Sequence, residues 1–143
     1  MIKRTISTFA TLTLICAAHS AAAAVEAKQL GSVHFQTSCN SAAQKLFDRG
    51  MLYQHSFWYG AAKRTFEEAL KADPQCAIGY WGIALSYLYN PHAPPPPENL
   101  PLGLEAAQKG KALGAKTQRE RDYIDAISAM YADYDKVDHR TRV

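Results

Sequence analysis

The chain has 143 residues and carries 16 Lys and Arg against 13 Asp and Glu, a formal net charge of +3. Lys3 and Arg4 supply two of those positive charges, so the rest of the chain, with 14 basic and 13 acidic residues, is nearly neutral. Without a basic stripe interleaved with aromatics a nucleic-acid surface is excluded, and the length suits one domain rather than two.

Residues 1–24 read as a cleaved signal peptide: Lys3 and Arg4, then an apolar stretch over 6–18, then the small residues Ala21, Ala22, Ala23 and Ala24. Cleavage is expected near Ala24 and Val25. The bulky Ile15 directly before Cys16 argues against lipoprotein processing, and the apolar stretch is short for a spanning helix. The mature chain is therefore expected in the bacterial periplasm or outside the cell, with no stable membrane span once the leader is removed. Residues 25–40 show no helical period and read as an irregular lead-in.

A helix is expected from Ser41 to about Gln54. Ser56 is placed to cap a second, which runs to about Ala72 with Ala62, Phe66 and Ala69 on one face. Asp73-Pro74 supplies a capping side chain followed by a proline suited to the first helical position, opening a third helix over 75–89. Residues 90–101 interrupt it with four consecutive prolines, which exclude helix and favour an extended polyproline conformation. A fourth helix is expected from about Leu102 to Leu113, ended by Gly114. Thr117 with Glu120 has the spacing of a capping box for a fifth. Asp138 is placed to cap one more turn.

Gly50, Tyr53, Ala62, Phe66, Ala69 and Pro74 fall at the spacings of a helical-hairpin repeat of about 34 residues. Tyr80, Ile83, Ala84 and Tyr87 continue the same register one repeat later; Ile124, Ile127, Ser128 and Tyr131 continue it more loosely. On these residues the chain resembles the tetratricopeptide repeat (TPR) family. The resemblance implies an all-α fold of TPR helix-turn-helix repeats in a right-handed α-solenoid, about two and a half repeats long. The domain would span 41–143, with 41–74 as repeat one, 75–114 as repeat two carrying the insertion 90–101, and 117–143 as a partial third. With Cys39, Cys76, the His55-Ser56-Phe57-Trp58 turn and Tyr80-Trp81-Gly82, the chain is similar to the opening of longer exported bacterial TPR proteins. That likeness implies part of a longer array and brings no reaction with it. In an unfinished array Ile124, Ile127 and Tyr131 would lack a covering helix, so self-association through this open end is expected; the alternative is a short protein that closes the end by dimerising.

Cys39 and Cys76 lie one repeat apart at the starts of neighbouring helices, and in an oxidising compartment such a pair is a candidate disulfide. The alternatives are two independent thiols, or a metal site built from His34, Cys39 and Cys76. No Cys-x-x-Cys, His-x-x-x-His or Cys-x-x-Cys-His pairing supports a metal or haem, so no cofactor is expected. Nor is there a phosphate loop, a nucleophile elbow or a metalloprotease motif, and an enzyme is not expected. What the resemblance implies is a protein or peptide partner held on the inner face of the first helix of each repeat: Gln44, Phe47, Met51, Gln54 and His55, then Ile78, Trp81, Leu85, Leu88 and Tyr89. This is an apolar, aromatic groove. Asp122 and Asp125 would add acidity at its far end, favouring a partner with apolar anchors and a basic residue. The competing expectation is that Trp81, Leu85 and Tyr89 are covered by the lead-in 29–35 or by the proline insertion.

Overall fold

The computed structural model describes residues 30–90 and 92–142, in which there are six α-helices and no strand. The expected signal peptide and its cleavage site lie outside the described residues. The helices are α1 (Ser41–His55), α2 (Tyr59–Ala72), α3 (Ile78–Leu88), α4 (Asn99–Leu113), α5 (Gln118–Tyr131) and α6 (His139–Arg142). Each packs on its neighbour in sequence, and α3 also touches both α1 and α5 directly. That pattern brings the three alternate helices into a shared wall. None of the described helices is long and apolar enough to cross a membrane.

The close approach of these helices depends on small residues. Phe66 of α2 lies between α1 and α3, and a Cβ on Gly50 would meet its ring at 2.5 Å and one on Gly82 at 2.6 Å. A single ring thus fills two helix contacts, which only glycine leaves room for. Gly103 of α4 does the same for Tyr131 of α5, whose ring occupies the space a Cβ would need. Ala62, Ala69, Ala84 and Ala107, all buried, line the remaining contacts.

Several expected boundaries move. Ser56 does not cap α2; its N–H closes α1 on the carbonyls of Leu52 and Tyr53, and α2 begins after Trp58 with no side-chain cap. Asp73 does not open a helix at once, because a turn intervenes before Ile78 and the Asp73 carboxylate accepts from the backbone N–H of Gln75 (3.0 Å) and Asn40 (2.7 Å). The fourth helix starts at Asn99, earlier than expected. Pro101 lies inside its first turn, where a residue without an N–H costs nothing. The Thr117–Glu120 capping box is present in full, and Asp138 accepts from the Thr141 N–H at the start of α6.

The expectation of an uncovered carboxy-terminal face is corrected. Ile124, Ile127 and Tyr131 are all buried, with the Tyr131 hydroxyl donating to the Ala84 carbonyl at 2.8 Å. They face α3 and α4 rather than outward, so the apolar surface expected to drive self-association is consumed inside the chain.

Candidate peptide groove

Residues 33–40 form an extended strap across the wall made by α1, α3 and α5, and the side chains of α1 bind its backbone. Gln44 and Asp48, one helical turn apart on α1, share a face. The Gln44 amide donates to the Phe35 carbonyl (2.9 Å) and its Oε1 accepts from the Thr37 N–H (2.8 Å). Asp48 accepts from the Phe35 N–H (3.0 Å) and pairs with His34 Nδ1 (2.8 Å). The hydrogen bonds to Asp48 and Gln36, with the Asp48 charge, raise the His34 pKa. An extended segment has no internal partners for its peptide groups, and this helix supplies them.

Phe35 is the anchor of the strap. Its ring lies 5.5 Å from Phe47, 5.8 Å from Trp81 and 5.2 Å from Tyr123, one aromatic from each of α1, α3 and α5. The Arg119 guanidinium covers the outer side at 4.1 Å from the Phe35 centroid, a cation–π cap.

Three ties close the strap at its other end. Cys39 and Cys76 form a disulfide with Cα atoms 4.9 Å apart. Asn40 donates from its side chain to the Ala72 carbonyl (2.9 Å) while its Oδ1 caps α1 at Ala43. Glu120, buried in α5, accepts from the Ser38 N–H (2.8 Å) and hydroxyl (2.7 Å) as well as from Thr117. Burial alone would raise the Glu120 pKa, but the hydrogen bonds from Ser38 and Thr117 outweigh it and hold the carboxyl below its usual 4.5. Because the folded value is depressed, the stability it contributes is complete above about pH 4.5 and is lost as pH falls through the folded value. Glu120→Ala should lower stability by about 2 to 3 kcal/mol at neutral pH, chiefly by orphaning the Ser38 donors. In thermal melts the gap between the two proteins should narrow as pH drops below 4.5; a gap that stays constant would show that the charge is irrelevant.

The expected groove residues divide into two groups. Phe47, Met51, Ile78 and Trp81 are buried, Trp81 to 7% exposure, beneath or behind the strap. As open anchors they are corrected: an extended segment with a phenylalanine satisfies this end of the wall, so the lead-in covers Trp81 as the competing expectation had it. Gln54, His55, Leu85 and Tyr89 are not covered. With Leu88 and Met130 they line a pocket of about 500 Å3. Residues seven apart share a helix face, so Gln54, Leu88 and Met130 continue the faces of Phe47, Trp81 and Tyr123 about 10 Å further along α1, α3 and α5. The pocket is the uncovered continuation of the wall that binds the strap.

Asp122 and Asp125 do not reach it. Asp125 pairs with Lys111 (2.8 Å) and Asp122 accepts from Gln118 (2.7 Å), and neither lines the pocket. The His34, Cys39, Cys76 ligand set loses both thiolates to the disulfide, and among the described residues no cluster of three His, Cys, Asp or Glu is placed to hold a metal. Sequence reasoning missed Phe35, Asp48, Arg119 and Glu120 in the strap site, and Phe57, Tyr59 and His139 at the pocket. Only Phe35 carried a signal, as an isolated aromatic in a lead-in without helical period.

No family model, curated protein or solved structure matches the chain.

Proposed function

We propose that this chain is an exported, non-catalytic interaction module of tetratricopeptide type, which holds an extended segment of a partner protein along the wall formed by α1, α3 and α5. The observation that carries the reading is the strap itself. An extended segment is bound there by backbone hydrogen bonds to Gln44 and Asp48 and by one aromatic anchor. Main-chain recognition with a side-chain pocket is how folded domains take extended peptides. The open pocket at Gln54, His55, Leu85 and Tyr89 continues the same helix faces and is where a partner would enter. The disulfide is compatible with an oxidising space outside the cytoplasm.

The test is selection of displayed peptides on the oxidised chain, followed by affinity measurement against Leu85→Lys. A lysine in the half-buried apolar wall should weaken every selected peptide about tenfold or more, with amide shifts in the parent confined to the ends of α1 and α3. Selected peptides that bind the variant equally well would remove the pocket from the site.

A further inference from the structure

The pocket has features that an apolar side chain alone does not satisfy. Tyr59 and His139 both line it, and the Tyr59 hydroxyl and His139 Nδ1 are shielded from solvent with no hydrogen-bond partner among the described residues. Buried polar atoms without partners are costly and call for a donor or acceptor from elsewhere. Gln54, His55 and Asn90 add polar groups to a lining that is otherwise apolar, and among the described residues no Lys, Arg, Asp or Glu lines it. A charged tip would therefore meet no carboxylate, ammonium or guanidinium among the described residues.

The rim is held in unusual backbone conformations. Phe57 and Tyr89 are bulky residues with positive φ, 61° and 58°, and both leave their rings exposed, Phe57 at 64% and Tyr89 at 43%. Such conformations persist when the surroundings impose them and gather at ligand sites. Here the turn is held by the Phe57 N–H donating to the Gln54 carbonyl and the Trp58 N–H to the Tyr53 carbonyl. Tyr59 stands between the two rims, 5.0 Å from the Tyr89 ring and 6.1 Å from the Phe57 ring, each pair inclined. Three aromatics thus bound a slot suited to a fourth flat ring.

We propose that the pocket receives a tyrosine side chain of the partner segment. This rests on the reading of the wall as a peptide site and names the anchor it selects. A phenol hydroxyl both donates and accepts, so it offers the pocket the kind of group that the Tyr59 hydroxyl and His139 Nδ1 each lack. Phenylalanine fills the same slot and leaves both orphaned. Serine and threonine carry the hydroxyl without the ring.

The experiment is NMR titration of the oxidised chain with N-acetyl-tyrosinamide and N-acetyl-phenylalaninamide, and with p-cresol and toluene as the free-molecule pair. The tyrosine probe should bind about tenfold more tightly than the phenylalanine probe, with shifts at Leu88, Tyr89 and Met130, and p-cresol should exceed toluene in the same way. In Tyr59→Phe and in His139→Leu that preference should fall to within about twofold while the apolar probes bind as before. Equal affinity for the two members of each pair in the parent chain overturns the tyrosine assignment and leaves the peptide reading standing. Selected peptides that bind while neither probe perturbs the pocket also overturn it, since the anchor then lies elsewhere. Failure of peptides and probes alike removes both.

Discussion

Trp81→Ala is expected to lower the unfolding free energy by about 3 to 5 kcal/mol, the range for deleting a large aromatic from a packed interior. The ring stacks 5.8 Å from Phe35 and 6.2 Å from Phe47 and meets Tyr123 edge-on at 5.3 Å, so its removal takes one partner from each of the other aromatics in the strap site. Little in the wall can collapse into the gap, because Gly82 beside it is already filled by Phe66. The strap should loosen with it. Amide exchange at residues 33–38 is expected to speed up well below the global transition, since the loss falls first on the segment with the fewest alternative contacts. A melt within about 1 kcal/mol of the parent, with peptide capture abolished, would return Trp81 to the binding surface and contradict its burial.

Joint replacement of Cys39 and Cys76 by alanine is expected to be nearly as costly. The bridge joins residues 37 apart in sequence, and closing a loop of that size constrains the unfolded chain by about 3 to 4 kcal/mol in the chain-entropy account. Alanine keeps the buried Cys76 site apolar, so the loss reports the crosslink more than a new polar group. The strap stays tied by Asn40 and Glu120. The bridge-free chain should therefore remain folded, with a lower melting temperature. Loss below about 1 kcal/mol, in this variant and in reduced parent protein alike, would contradict the chain-entropy account of the bridge.

Helix existence was legible from local patterns. The Thr117–Glu120 box is a contact between residues three apart, and the spacing of Gly50, Ala62, Phe66 and Ala69 follows from helical period, so neither needs the rest of the molecule. Helix starts were less legible, because Ser56 and Asp73 are good capping residues whose polar groups are taken by other partners. Ser56 closes the preceding helix, and Asp73 binds Asn40, 33 residues away in sequence. A cap is a competition among neighbours in space.

The same distinction governs the candidate site. From sequence alone came the all-helical character and the candidate pairing of Cys39 with Cys76, while the side chains expected to face inward on α1 and α3 came from the family resemblance. The first two follow from helical periodicity and from two thiols 37 residues apart at expected helix starts. Only the tertiary structure decided which of those side chains solvent can reach. Phe35 lies on a strap without helical period, and its place over Phe47, Trp81 and Tyr123 depends on Gln44, Asp48 and Glu120 offering partners to an extended backbone. Ser38 and Glu120 are 82 residues apart, and no local pattern records a hydrogen bond over that separation. Burial is a property of what covers a residue, so Trp81 became core and Leu85, one turn on, became the wall of an open pocket.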